Sequence, residues 1–368
     1  MRRVVQASSA ALLFLTGTSS HGQVVVEGDE WHGTIEGWSN ATWGRCFDQS
    51  AEVCGDRDGR IDAALRGLAR TRFDDGPNVG LRIVAESTPE DRFDLTEASV
   101  IAFGVGGRFE FGDRQGLPDV LTGYAPNSFT FTSADFGPAS GASLDPGGGL
   151  QPAFLSTAAS AVVRELGALG FAATLFDDRS TKALYVAPKI RGWLAGVSYA
   201  AEVDDPRFAE LLQTGLVYEA YFGQHVLRAG GSWSHARGAA TYSDLDSVNL
   251  GITWILEDSL TIGLSGTSNG STGPDATGAH RSSAHGVVAS VNYNDGPWTF
   301  GGFYQVARSE GDATRVGRDR LEALELGVSW RWSTRVRIYG AWYHASIEDE
   351  GLREPDADVL LMGVRVTL

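Results

Sequence analysis

Residues 247–267, SVNLGITWILEDSLTIGLSGT, decide the fold of this chain. The first half alternates apolar residues with small polar ones, and after the dipeptide Glu257-Asp258 the same alternation resumes. A period of two is that of a β-strand with one apolar face. Two such runs joined by two residues predict a β-hairpin.

The same pattern recurs along most of the chain. Runs of about ten alternating residues predict sixteen strands, at 30–44, 58–73, 77–87, 96–104, 107–113, 180–187, 192–202, 209–222, 225–236, 245–256, 258–268, 284–294, 297–307, 320–332, 334–346 and 357–368. Two-residue turns (GQ, ED, DG, ST) alternate with long polar connections. Short turns on one side and long loops on the other are typical of an outer-membrane β-barrel.

The composition of the two strand faces also favours lipid as the environment. Each predicted strand has one apolar face, but no second apolar set is available to pack against it. Aromatic residues lie beside the short turns, where an interfacial girdle is expected: Phe222, Trp254, Tyr293, Trp298, Trp330 and Trp332. Beyond the N-terminus, no apolar run reaches about 18 residues, the length of a helical span. We therefore predict an all-β fold, a 16-stranded antiparallel transmembrane β-barrel, with a soluble sandwich as the alternative.

The composition and the N-terminus bear on location. The chain has 368 residues and a formal net charge of −16, which argues against a nucleic-acid partner. Residues 1–22 combine Arg2 and Arg3 with an apolar stretch and small residues, as a secretory signal peptide does. The alternative is a buried N-terminal helix. We expect export and a single barrel domain over 23–368.

The two cysteines, Cys46 and Cys54, are close together in a polar segment. In an exported chain such a pair is expected to form a disulfide across a short loop. Two unpaired thiols are the alternative. A metal site would need more ligands than this segment offers, since no histidine lies beside the cysteines.

Residues 59–73, GRIDAALRGLARTRF, raise a separate question, because arginines occupy four even positions. The local pattern fits a helix nearly as well as a strand, but the neighbouring hairpin pattern favours a strand. Arginines facing lipid near the midplane would cost about 2–4 kcal/mol each, so their shared parity predicts that they face water inside the barrel. The predicted basic wall consists of Arg60, Arg66, Arg70, Arg82 and Arg108. Arg72, close to the turn, is expected to be an ordinary rim charge.

Two further segments carry a resemblance to a known family. Residues 97–126, EASVIAFGVGGRFEFGDRQGLPDVLTGYAP, and residues 180–200, STKALYVAPKIRGWLAGVSYA, resemble the fourth to seventh strands of general porins of Gram-negative outer membranes, in particular the alphaproteobacterial type. The likeness extends over the whole mature chain. One departure is Leu368 at the C-terminus, where porins usually end in Phe, the residue that the barrel-assembly machinery reads. The final strand nevertheless alternates correctly.

The resemblance implies a homotrimeric outer-membrane porin with a long third loop, residues 114–179, folded into the lumen as a constriction. The channel would allow passive diffusion of small hydrophilic solutes and ions. The acids expected to face the basic wall from this loop are Asp113, Asp119, Asp135 and Asp145, with Glu165 as a further candidate. Whether residues 153–176 form a helix or an extra hairpin stays open. Small residues of the second strand (Ala63, Gly67, Ala69) could pack against a neighbouring subunit.

Other functions are weighed against this one. A substrate-selective channel, for sugars or anions, is the first alternative, since Phe303, Tyr339 and Tyr343 have inward parity. A barrel-anchored adhesin or enzyme is the second, although no G-x-S-x-G motif is present and the histidines are scattered. We expect no enzyme activity and no cofactor. The acidic loop residues Glu348, Asp349, Glu350 and Glu354 could bind Ca²⁺ loosely or contact lipopolysaccharide.

Overall fold

The computed structural model describes residues 23–27, 31–47, 59–71, 78–87, 93–122, 166, 180–203, 208–239, 244–257, 259–270, 283–310, 318–349, 352–353 and 356–367. Within these ranges the chain forms eighteen strands: β1 (Gln23–Glu27), β2 (Trp31–Phe47), β3 (Gly59–Thr71), β4 (Asn78–Ser87), β5 (Phe93–Gly104), β6 (Gly107–Asp113), β7 (Thr181–Val186), β8 (Trp193–Ala200), β9 (Phe208–Phe222), β10 (His225–Gly238), β11 (Leu245–Leu256), β12 (Leu260–Asn269), β13 (Ala284–Asp295), β14 (Trp298–Glu310), β15 (Arg318–Arg331), β16 (Val336–Asp349), β17 (Leu352–Arg353) and β18 (Ala357–Thr367). One short helix, α1 (Leu117–Thr122), follows β6.

Sixteen of these strands close into one antiparallel barrel. Each strand from β2 to β15 pairs with the next, β16 pairs with β18, and β18 pairs with β2. The two short strands lie beside this ring, β1 against the first part of β2 and β17 against the end of β16. Each of the sixteen barrel strands is therefore paired on both sides, as a bilayer requires. The predicted sixteen-stranded barrel is confirmed.

The connections sort into two ends of the barrel. At one end, which we call the short-turn end, no connection exceeds six residues: 72–77, 105–106, 187–192, 223–224, 257–259, 296–297 and 332–335. At the other, the long-loop end, lie all the connections longer than six residues, above all the one between β6 and β7, together with two short ones, 88–92 and 239–244. Among the residues that the structure describes, no helix is long and apolar enough to cross a membrane.

The outward face of the strands is apolar and exposed. Large side chains with outward parity remain accessible on every side of the barrel, for example Leu81, Leu250, Leu264 and Met362. Near the short-turn end this face carries stacked aromatic rings. The centroids of Trp298 and Trp330 are 6.0 Å apart, and those of Trp330 and Trp332 are also 6.0 Å apart. An apolar band bordered by aromatic rings is the outer surface that lipid solvates.

Near the long-loop end, the same outward face repeats a three-residue arrangement. On β16, Trp342 stacks on His344 with centroids 5.9 Å apart. The Trp342 Nε1–H donates to Asp358 Oδ1 of β18 at 3.0 Å, and His344 Nδ1 lies 3.1 Å from the same oxygen. The equivalent residues on β10 and β11 are Trp233, His235 and Asp246. In each case, one carboxylate oxygen lies within hydrogen-bond distance of two ring nitrogens, near the long-loop end of the apolar band.

Candidate functional site

The inward face of β2 to β6 carries the predicted basic wall. Arg66 on β3, Arg82 on β4 and Arg108 on β6 all have inward parity, opposite to the exposed apolar residues beside them. This placement follows from the period of two, because a strand that presents Leu81 and Ile83 to lipid must present Arg82 to the interior. The structure therefore brings three of the predicted arginines onto adjoining parts of one inner surface.

Each of these arginines is paired with a glutamate of the wall itself. Arg82 Nη2 lies 3.1 Å from Glu97 Oε2 of β5. Arg108 pairs with Glu110 of its own strand. Arg66 Nη1 lies 3.7 Å from Glu36 Oε2 of β2. The wall is therefore a ladder of alternating charges, not an uninterrupted basic surface.

Accessibility separates the arginines into two kinds. The side chains of Arg66 and Arg108 remain 23 % and 38 % exposed, whereas that of Arg82 is 2 % exposed. Arg70, further along β3, is exposed, and its guanidinium carbon lies 5.9 Å from the centroid of the Phe103 ring. Arg60 lies at the start of β3 opposite Thr42. Arg72 lies outside the described residues.

Among the predicted loop acids, the described side chain of Asp113 does not supply a counter-charge to the wall. Asp113 has the outward parity of Phe109 and Phe111, and its Oδ1 accepts a hydrogen bond from Thr181 Oγ1. The position of this carboxylate thus differs from the predicted one, because the alternation of β6 continues to its last residue. Asp119 lies in α1. Asp135 and Asp145 lie outside the described residues, as does Glu165.

Sequence reasoning missed the acids that do pair with the wall. Glu36 stands directly opposite Arg66 in the register of β2 and β3. Glu110 is two residues from Arg108, so both side chains point the same way. The signal was available in principle, because glutamates with inward parity beside inward arginines form favourable cross-strand pairs.

The start of the long loop lies against the inner surface of the barrel. The Leu117 backbone N–H donates to Gln213 Oε1 of β9 at 3.0 Å, and Gln213 also accepts from Ser198 Oγ at 3.0 Å. Leu117 and Leu121 belong to a buried apolar cluster on the inward faces of β7, β8 and β9. Pro118 has no backbone N–H. It fits within the first turn of α1 because N–H groups there have no intrahelical acceptor.

Two glycines make room for this helix. A Cβ at Gly196 would lie 2.7 Å from Leu117 Cδ1, and one at Gly215 would lie 2.4 Å from Leu121 Cδ1. Both glycines have inward parity, on β8 and β9. The lack of a side chain at these two positions therefore leaves the space that Leu117 and Leu121 occupy.

A second part of the loop is described at Leu166, whose backbone is helical. Leu166 is fully buried in an apolar cluster formed by inward residues of β13 to β16 and β18, and Gln305 Nε2 donates to its carbonyl oxygen at 3.1 Å. The other residues of 153–176 lie outside the described part of the chain. Phe303, Tyr339 and Tyr343 belong to this cluster and are 3–6 % exposed. They do have inward parity, but they are covered.

The short-turn end holds a further charged group. Glu219 of β9 accepts hydrogen bonds from Tyr221 Oη at 2.6 Å and from Arg228 Nε at 2.7 Å, and it also pairs with Lys189. Glu219 and Arg228 face each other on the inward sides of β9 and β10. This group was not predicted, since Lys189 comes from a turn whose approach depends on the fold.

Cys46 lies within β2, opposite Val359 of β18, and packs against the apolar cluster that contains Leu166. The predicted strand ended at residue 44, so the structure extends β2 to include this cysteine. Cys54 lies outside the described residues, and the disulfide stays a prediction. Among the described residues, no three His, Cys, Asp or Glu side chains are grouped so as to hold a metal ion.

Comparison with known proteins agrees with this architecture. A family model described as Gram-negative porin matches residues 9–350. No curated protein sequence matches significantly. OmpT, an outer membrane protein of Vibrio cholerae, shares 13 % sequence identity with a TM-score of 0.60, over 94 % of this chain and 100 % of its own.

Two more solved structures are similar. An anion-selective porin from Comamonas acidovorans shares 13 % identity with a TM-score of 0.60, over 92 % of this chain and all of its own. A mutant of the porin of Rh. blastica shares 16 % identity with a TM-score of 0.53, over 91 % of this chain and all of its own. At these identities the structural likeness establishes the fold.

Proposed function

The chain belongs to the Gram-negative porin family and is a channel for passive diffusion across the outer membrane; from this premise we propose that it passes small hydrophilic solutes with a preference for anions. The observation that carries the proposal is the charged ladder on the inner faces of β2 to β6. Charged side chains that line a pore select ions by sign.

The preference for anions follows from the charges in this ladder and from their exposure. On the strands, three arginines (Arg66, Arg82, Arg108) stand against three glutamates (Glu36, Glu97, Glu110). Arg114, the first residue after β6, joins this ladder by pairing with Glu97 and Glu110, and its charge brings the formal sum to +1. Glu97 and Glu110 are each 1 % exposed, so Glu36 is the glutamate of the ladder that reaches water, whereas both Arg66 and Arg108 do so. A permeating ion thus meets two exposed arginines and one exposed glutamate.

We also propose that the long loop narrows the lumen. The support is that both described parts of it, α1 and Leu166, contact inward-facing side chains on well-separated strands. A sugar-selective channel is less favoured, because the three inward aromatic residues are covered and offer no stacking surface to a solute.

A homotrimer is proposed for the assembly, on the ground that a trimer form of OmpT of V. cholerae is among the structures with this fold. The outward faces of β2 and β3 would provide the contact, since small residues there permit close approach: Gly33, Gly37, Ala63, Gly67 and Ala69. We further propose that lipopolysaccharide surrounds the long-loop end, that the C-terminal strand is recognised by the barrel-assembly machinery, and that residues 1–22 are removed on export.

Liposome swelling tests the proposed channel. Liposomes that contain the refolded protein should swell in isotonic solutions of neutral sugars at rates that fall as the sugar becomes larger. Protein heated in detergent before reconstitution is the control. Swelling no faster than in the control would contradict the proposal and favour a barrel-anchored adhesin or enzyme. Electrophoresis in dodecyl sulfate without heating should show a trimer that heat converts to a monomer.

A further inference from the structure

Arg114 is the member of the charged ladder that does not belong to a strand. It is the first residue after β6, at the point where the long loop begins. Its Nη1 lies 3.1 Å from Glu97 Oε2, and its Nε pairs with Glu110. One guanidinium thus bridges two wall carboxylates on neighbouring strands, a geometry that its forked donors permit.

The burial of Arg114 depends on these two glutamates. Its side chain is 4 % exposed, and each glutamate is 1 % exposed. A charge removed from water to this degree is strongly unfavourable unless it is paired and hydrogen-bonded. The glutamates, in contrast, each keep a strand arginine as a second partner, Arg82 for Glu97 and Arg108 for Glu110. The wall can therefore remain paired without Arg114, but Arg114 cannot stay buried without the wall.

The residues that follow Arg114 continue along the inner surface. Gln115 and Gly116 are buried, and a Cβ at Gly116 would lie 2.4 Å from Gln213 Oε1. The chain then makes the Leu117 hydrogen bond to Gln213, and α1 packs against β8 and β9. Residues 114–122 are thus fixed at two places, by ion pairs at β5 and β6 and by apolar packing at β7 to β9.

We propose that Arg114 is a positioning residue, which fastens the start of the long loop to the barrel wall through Glu97 and Glu110. The residues joined by these ion pairs, Arg82, Arg108, Arg114, Glu97 and Glu110, would then set both the field of the wall and the place where the long loop begins. The effect of this attachment on ion flow rests on the proposed channel function. The attachment itself is a contact within the barrel and can be tested separately.

Hydrogen exchange measured by mass spectrometry tests the attachment without reference to conduction. In Arg114→Gln the amides of residues 115–122 should exchange several-fold faster than in the wild type, whereas peptides from β4 to β6 should be unchanged. Arg237→Gln is the matched control, because Arg237 pairs with Glu210 at 2.9 Å on the exposed outward surface. Wild-type exchange over 115–122 in Arg114→Gln would overturn the inference.

Single-channel recording tests the positioning role. Arg114→Gln should increase the variance of the open-channel current several-fold. Arg114→Lys keeps the charge but replaces the rigid fork of donors by one nitrogen on a flexible stem, so it should keep the wild-type reversal potential and still increase the variance. Equal variance in both variants and the wild type would overturn the positioning role. If Arg114→Gln does not fold, Glu97→Gln removes one of the two bridges and should accelerate exchange over the same residues. A wild-type protein that does not conduct would overturn the proposed function, while the exchange result would still decide the attachment.

Discussion

The ion pair between Arg66 and Glu36 predicts opposite changes in ion selectivity when one or the other charge is removed. These two side chains are 23 % and 33 % exposed, and the charged atoms are 3.7 Å apart, so each partly cancels the other at the water surface. Arg66→Gln should make the channel less selective for anions, and Glu36→Gln should make it more so. The double variant should resemble the wild type.

The size of the effect follows from Coulomb's law. A unit charge roughly 6 Å from an ion in water contributes about 0.7 kcal/mol, which is about a threefold change in local ion concentration. Removing Arg66 lowers the anion concentration and raises that of the cation, so the anion-to-cation permeability ratio should fall by up to about tenfold. Screening over about 10 Å at 0.1 M salt reduces this value, and the effect should therefore shrink as the salt concentration rises.

The assay is the reversal potential across a planar bilayer under a KCl gradient, measured at low and high salt. Arg237→Gln serves as the control for a change of charge outside the lumen, since Arg237 is 58 % exposed on the outward surface. An unchanged reversal potential in Arg66→Gln, or a shift of the same sign in Glu36→Gln, would refute the placement of this pair in the permeation path.

Three further substitutions test the barrel, each by urea unfolding in lipid vesicles. Leu264→Arg places a charge on the lipid-facing side of β12 and should reduce the free energy of unfolding by about 2–4 kcal/mol, well beyond the cost of Leu264→Ala; equal costs would argue that this face does not meet lipid. Gly215→Val should displace Leu121 and lower stability by about 1–3 kcal/mol, and a stability equal to the wild type would show that α1 does not rest on this glycine. Asp358→Asn weakens the hydrogen-bond acceptor of Trp342 and should reduce the free energy of unfolding by about 0.5–1.5 kcal/mol. An unchanged free energy of unfolding would show that this hydrogen bond does not stabilise the barrel.

The strands could be predicted from the sequence because lipid imposes the same alternation on each of them. The hairpin in residues 247–267 is an example. Predicted strands at 245–256 and 258–268 correspond to Leu245–Leu256 and Leu260–Asn269. An outward apolar residue at every second position fixes the parity of its neighbours, so the inward direction of Arg82 and of Tyr343 could be predicted as well.

The partners of the inward residues could not be predicted in the same way, because pairing depends on register. Glu97 stands opposite Val84, one step diagonally from Arg82, and this relation is fixed only when β4 and β5 are aligned. The inward direction of a side chain also does not show whether that side chain is buried or exposed to the lumen. Tyr343 faces inward as predicted, but it is buried in the cluster that contains Leu166, and this cluster unites positions 177 residues apart.

The conformation of the start of the long loop could not be predicted from the sequence either. Residues 117–122 are too few for a periodic pattern, and α1 is held by contacts with distant strands. Gly196 and Gly215 prepare its site on the wall, but in the sequence they resemble the many other glycines of the strands. Arg114 was likewise indistinguishable from a loop charge until its two carboxylate partners were in place.

The central claim is that this barrel encloses an open path for ions, and single-channel recording tests it most directly. Folded, heat-modifiable protein added to a planar bilayer should produce stepwise, ohmic increases in current, grouped in threes for a trimer. Folded protein that inserts into the bilayer and produces no current steps would contradict the account.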